Sequence, residues 1–354
     1  MRRALAAALV CLGLAVTGCG ASERMSAVHP GAGSSASPRI SPAPKPPSML
    51  QVASHPTGDP YADLARELHG AGVAVWFEAD LVKRWLEGPA SFGTALDRLG
   101  HLASVPGVRG FKVADELGYQ DGIESPAEAQ RFLGDVRAGL DARAPGTKVL
   151  IDMVVPELGC LGWTDQGSDG CTQQARERYP AATVSAVSGY LRRGLVDRLD
   201  LSTSLLDEWT YQTWGISQPQ AQQEAWAHVD RLGWPRWTVL QSRKALADVG
   251  GYHGSPQDAQ QDVHTFVQIP VAAGAAGVDI WTWRQEYDGA TVGLLDDRLD
   301  SNPLWNDLLR SRDDTHLLTH MTPSLLPPGR AAVARECARV AEVFDAVFVA
   351  AGTG

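Results

Sequence analysis

Downstream of residue 48 the chain alternates compact apolar runs with longer amphipathic stretches. The runs 49–54, 73–80, 108–116, 147–154, 196–204, 236–242 and 277–283 are rich in Val, Ile, Leu, Phe and Trp, and they predict strands. Between them, apolar residues recur at helical spacing. Leu64 and Leu68 mark a helix from Pro60 to His69, and Leu96, Leu99 and Leu102 mark one from Phe92 to Leu102. Ser125 to Leu140 opens with Ser-Pro-Ala-Glu and Ser255 to Val271 with Ser-Pro-Gln-Asp, a capping residue followed by Pro in the first turn. Near the end, Val333, Cys337, Val340, Phe344 and Val347 fall on one helical face, which predicts a single helix over 329–350.

Strands that alternate with helices argue for βαβ units and a parallel sheet. The expected fold is therefore α/β, a (β/α)8 TIM-like barrel with an extra C-terminal helix. Seven strands are legible. Either an eighth lies near Thr315–Leu325 or the barrel is incomplete, and an open doubly wound sheet is the rival. The chain then divides into a signal at 1–18, a tether at 19–48, a barrel at 49–327 and a terminal helix at 328–354.

The N-terminal pattern is of another kind. Met1-Arg2-Arg3 precedes a charge-free stretch over 4–16, shorter than the ~20 apolar residues that span a bilayer. This is the order of a secretory signal. Val16-Thr17-Gly18-Cys19 resembles the lipobox of bacterial lipoproteins. That resemblance implies cleavage before Cys19, acylation of Cys19, and a chain held on the outer face of the cytoplasmic membrane. Multiple acyl chains at ~0.8 kcal/mol per buried CH2 anchor stably. Residues 20–48, rich in Pro, Ser and Gly, suit a tether.

Loss of residues 1–18 removes two arginines and takes the formal charge from −10 to −12, which argues against a nucleic-acid partner. Arg outnumbers Lys by 26 to 5, the bias of a high-GC genome. Cys160 and Cys171 flank a polar loop. Outside the cell a bridge across it is the natural reading, stabilising by ~2–3 kcal/mol. Cys337 sits on an apolar helical stripe as a core thiol.

Side chains of a barrel strand face alternately the helices and the lumen. With Phe111 and Val113 toward the helices, Lys112, Ala114 and Glu116 face the lumen. The same alternation turns Trp76, Glu78, Asp80, Asp152, Asp200, Ser202, Ser204, Asp279, Trp281 and Trp283 inward. Crowded carboxylates cannot all ionise freely, and a raised acid beside an ionised partner is the equipment of glycoside hydrolysis. Phe-Lys-Val-Ala-Asp-Glu-Leu-Gly at 111–118 resembles the strand-end Asp-Glu of (β/α)8 glycoside hydrolases, and Ile-Trp-Thr-Trp-Arg-Gln-Glu at 280–286 is similar to their late Trp-rich strand. The resemblance implies a carbohydrate or other small extracellular ligand. It implies Glu116 as acid/base, Asp152 or Glu286 as second carboxylate, and Asp115 beside them. Trp76, Glu78, Trp209, Gln241, Trp281 and Trp283 would line the substrate. The Asn-Glu-Pro run of the best-known group is absent. A non-catalytic carbohydrate- or solute-binding lipoprotein and an envelope structural lipoprotein therefore stay open.

His316 and His320, four apart, would share a helix face without the carboxylate spacing of a metal site. Asp296, Asp297 and Asp300 lack an EF-hand pattern. No metal or cofactor is expected. A phosphate loop, a Gly-x-Ser-x-Gly elbow and His-Glu-x-x-His are all missing, which leaves nucleotide enzymes, serine hydrolases of that fold and zincins unsupported.

Overall fold

The computed structural model describes residues 58–119, 121–161, 167–242 and 246–350. The signal, Cys19, the tether and the strand expected at 49–54 lie outside the described residues. Among the described residues there are nine strands: β1 (Ala74–Glu78), β2 (Val108–Lys112), β3 (Lys148–Val154), β4 (Arg198–Ser202), β5 (Thr238–Ser242), β6 (Gly277–Tyr287), β7 (Ala290–Gly293), β8 (Leu317–Met321) and β9 (Ala346–Val349). All but β7 run parallel, each paired with the next, with β6 on β8, β8 on β9 and β9 on β1. The ring is closed, an eight-stranded (β/α)8 barrel. β7 folds back antiparallel on the end of β6. Strands covered by helices outside and filled inside are apolar on both faces, so they appear as runs rather than alternations.

The eighth strand needed to close the ring is the last one. A helix over 329–350 was expected; the helix ends at Val340 and Ala346–Val349 is strand β9. Two neighbours decide this. β9 fills the gap between β1 and β8, and the Asp345 amide donates to the Leu317 carbonyl while the Asp345 carboxylate accepts from the Leu317 amide. The barrel therefore runs through 349, past the boundary set at 327. His316 and His320 likewise lie on or beside strand β8, not on a helix. The helix starts follow their caps: Ser125 accepts from the Glu128 amide, and Ser255 and Asp258 form a reciprocal capping box.

Two apolar layers hold the fold. The outer one joins strands to helices. The inner one is a plug across the lumen made of Trp76, Leu150, Leu318, Ala346 and Phe348. Gly110 makes room for it, because a Cβ there would stand 2.5 Å from the Trp76 ring and 2.2 Å from the Lys148 carbonyl. Along β6 the alternation slips: Ile280 pairs with Thr319 but Arg284 with Met321, so four residues advance against two. That bulge turns Trp283 away from the lumen. It is buried against Trp305, and its Nε1 donates to Glu336 at 2.8 Å. Cys160 and Cys171 are bridged, with Cα atoms 5.5 Å apart, and Cys337 is a buried free thiol. Among the described residues no helix is long and apolar enough to cross a membrane.

Candidate functional site

Two residues beyond the plug, the same lumen-facing rows change character. Trp76 is followed by Glu78, Gly110 by Lys112, Leu150 by Asp152 and Leu318 by His320; β4 and β6 add Asp200 and Asp279. Six ionisable side chains from six strands thus form one layer at the C-terminal end of the barrel, where barrel active sites lie. Lys112, Asp152, Asp200, Asp279 and His320 are all buried.

The layer is knit by ion pairs. Lys112 Nζ lies 3.5 Å from Glu78 Oε2, 3.6 Å from Asp152 Oδ2 and 3.7 Å from Asp115 Oδ1. His320 meets Glu78 Oε2 through Nδ1 at 2.9 Å and Asp279 Oδ2 through Nε2 at 2.6 Å. Phe348 of the plug is the floor, with its ring centre 5.6 Å from Lys112 Nζ and 4.9 Å from the His320 ring. Neither carboxylate oxygen of Asp200, nor Oδ1 of Asp279, meets a hydrogen-bond partner among the described residues.

These contacts set the charges. Burial alone would raise the Glu78 carboxyl, but Lys112 and His320 outweigh it and bring it down to about 2. Burial opposes the charge on Lys112, and Glu78, Asp115 and Asp152 more than restore it, holding the ammonium well above its ordinary value. His320 would be lowered by burial; Asp279 and then Glu78 push it up to about 9. Asp200 has no such help. Burial, then Asp279 and Asp152, raise it well above the usual carboxylate range, with Lys112 opposing. On the rim Asp80, exposed at the surface, is raised to about 6 by partial desolvation and by Asp115. Asp200, Asp279 and His320 each offer one ligand atom, and the three atoms lie within 4.8 Å of one another.

The residues named from the sequence divide sharply. Glu78 and Asp152 belong to the layer, and Asp115 touches it through Lys112. Glu116 is buried in a left-handed turn (φ 53°) just beyond β2, where the next amide, Leu117, donates to the Asp152 carbonyl. Glu286 is exposed on the β6–β7 hairpin, paired with Thr291, outside the layer. Trp76 is plug and Trp283 is outer core, so neither is a binding platform. Trp281 is half-buried and meets Tyr287 edge-on at 5.4 Å. Trp209 is 69% exposed on the short helix Glu208–Thr213. Gln241 lies on β5 in register with Asp279; its side chain is outside the described set. The alternation also brought Asp200 and Asp279 inward, without assigning them a role. His320 was missed as a site residue because its spacing from His316 was read as helical.

No family model matches the chain, and no curated protein matches it in sequence. Solved structures of similar fold include a protein described as a phosphonomutase from Burkholderia cenocepacia, 11% identical over 82% of this chain and 91% of that one, TM-score 0.41. Another is 2,3-dimethylmalate lyase, a PEP mutase/isocitrate lyase superfamily member, 14% identical over 83% and 81%, TM-score 0.35. A third is a truncated 3-deoxy-D-arabino-heptulosonate 7-phosphate synthase from Thermotoga maritima, 12% identical over 79% and 75%, TM-score 0.37. At such similarity they carry no argument about this chain. The glycoside-hydrolase expectation is corrected. Its second carboxylates are a fully buried Asp152 bound to Lys112 and a Glu286 on an outlying hairpin, and two of its stacking tryptophans are core.

Proposed function

We propose that this chain is an extracytoplasmic enzyme, anchored by lipid on Cys19, that performs proton-transfer chemistry on a small polar ligand at the barrel mouth. One observation carries the reading: six ionisable side chains from six strands, five of them buried, converge in a single layer beneath that mouth. A layer serving only the fold would be apolar, as the plug one pleat below is. Asp115 is the member of the network that reaches solvent, 37% exposed and 3.7 Å from Lys112. Asp80 beside it, raised to about 6, is placed to take or give a proton near neutrality. Carboxylates outnumber cations in the layer, which favours a ligand with a cationic or hydrogen-bond-donating end. The Cys160–Cys171 bridge supports an oxidising compartment.

The test uses the full-length chain in detergent. Small amines, amides and hydroxy acids are screened for thermal stabilisation and then for turnover, with Asp115→Asn and Lys112→Met in parallel. Both variants are expected to lose turnover while Asp115→Asn keeps the wild-type melting temperature. Turnover that survives in both folded variants would overturn the reading. Cys19→Ser should leave the membrane fraction or remain unprocessed; a processed, membrane-bound mutant would refute the anchor.

A further inference from the structure

Asp200 is the anomaly of the layer. It is fully buried, and neither of its carboxylate oxygens meets a hydrogen-bond partner among the described residues. A buried carboxylate without donors costs several kcal/mol unless a cation or a proton attends it. It points at a group organised independently of it, the Glu78–His320–Asp279 line, whose nearest ligand atoms lie within 4.8 Å of its own.

We propose that Asp200, Asp279 and His320 form a binding site for one divalent transition-metal ion, best matched by Zn2+. The inference deepens the reading of this layer as a reaction centre and borrows from it only the location. The donor set is one imidazole and two carboxylates; three protein ligands with a position left open match catalytic zinc sites in number, with more oxygen donors than the usual histidine-rich set. Glu78 accepts at His320 Nδ1 at 2.9 Å. A carboxylate there fixes the tautomer and presents Nε2 to a metal, the usual support for a ligating histidine. Oδ1 of Asp279 also meets no partner among the described residues, so that carboxylate has capacity to spare.

Charge agrees. With Asp200 and Asp279 ionised and His320 neutral, as ligands must be, the layer would hold four carboxylates (Glu78, Asp152, Asp200, Asp279) against the single ammonium of Lys112. A divalent ion offsets most of that excess. Coordination requires both carboxyls ionised and His320 Nε2 bare, so every proton held on those three ligand atoms leaves to solvent. The 2.6 Å between His320 Nε2 and Asp279 Oδ2 must open, and any separation near the 4.8 Å limit of the cluster must close, to about 3.4 Å, the spacing of two ligand atoms ~2.0–2.2 Å from a tetrahedral ion. Ca2+ suits the site poorly, because it takes 6–8 oxygen ligands. The three ligands sit on β4, β6 and β8, strands of a closed barrel, which is the rigid support a metal site requires.

The experiment measures binding without substrate, so its failure is separable from that of the enzymatic reading. The full-length chain in detergent is stripped with a chelator and titrated with ZnCl2 by calorimetry, and metal content is read by mass spectrometry. One Zn2+ per chain is expected, with no comparable Ca2+ uptake. Asp200→Asn and Asp279→Asn should each weaken binding at least about tenfold, and Glu78→Gln about 10–100-fold as the supporting partner. His320→Gln should abolish binding. X-ray absorption on the wild type covers the case in which a variant fails to fold; it should find oxygen ligands with one imidazole. Absence of stoichiometric Zn2+, unchanged affinity in folded Asp200→Asn, or sulfur ligation would each overturn the proposal.

Discussion

The plug and the charged layer are built on the same strands, one pleat apart, and they do opposite work. Two residues separate Trp76 from Glu78, Leu150 from Asp152 and Leu318 from His320, a rise of about 7 Å along a strand. Below, each large side chain taken out of water contributes ~1.5–3 kcal/mol to folding. Above, each buried ion costs several kcal/mol of desolvation that its partners return only in part. Fold and chemistry are thus layered along the barrel axis, and a substitution's effect should depend on which pleat it strikes.

The largest effect belongs to the plug. Phe348 is fully buried and is the floor for both Lys112 and His320. Phe348→Ala should destabilise by about 3–5 kcal/mol, the usual range for a buried Phe truncation, read by urea denaturation. A loss below 1 kcal/mol would mean that the lumen is not packed as described. Next comes Lys112→Met, which keeps the stem and removes the ammonium facing Glu78, Asp152 and Asp115. Breaking a buried pair from one side costs about 3–5 kcal/mol; the lower end is expected, because a buried acid left unpaired can take up a proton. A stability equal to wild type would erase the distinction between the two pleats.

This two-pleat order was partly legible in the sequence. Phe111 and Val113, set against Lys112, told inside from outside on β2, and the same rule brought Glu78, Asp152, Asp200 and Asp279 inward. It failed where regularity failed: the bulge between Ile280 and Arg284 resets the alternation, and no local residue announces it. Spacing by four was ambiguous at His316 and His320, since both a helix and a strand put such residues on one face. The same ambiguity hid β9, whose Val347 continues the helical stripe of Val340 and Phe344. Depth was not legible at all. Alternation gives a direction but no height in the lumen, so weight fell on Glu116 and Glu286, and Asp200 was left without a role.

A smaller effect, of opposite sign, should come from Asp200→Asn in metal-free protein. The change removes a carboxyl whose charge burial, Asp279 and Asp152 all disfavour, and the amide can donate toward Asp279, so it should stabilise by about 1 kcal/mol. Thermal denaturation after chelator treatment reads it. A destabilisation of similar size would show that Asp200 is satisfied by a partner within the fold, and would bring the layer closer to the plug in character.

The smallest effect contrasts Asp200 with another aspartate of the same strand region, Asp197, at the opposite end of the barrel. Asp197 is fully served: it accepts from the Val149 amide at 2.9 Å, from Arg137 at 2.8 Å and from Lys148 at 3.2 Å. Burial would raise its carboxyl, but those donors prevail and hold it below the ordinary aspartate value. A carboxyl lowered by folding stabilises while it is ionised. Its contribution is complete above the unfolded value of ~3.9 and disappears as pH falls through the lower folded value. Asp197 and Arg137 are about a quarter exposed, so solvent screening limits the contribution to about 1 kcal/mol. Asp197→Asn should therefore melt below the wild type at pH 7, with the gap closing once the pH drops below about 4. A gap that persists at pH 3 would assign the loss to geometry rather than charge. A gap that widens there would mean that Asp197 behaves like Asp200, a carboxyl that folding disfavours.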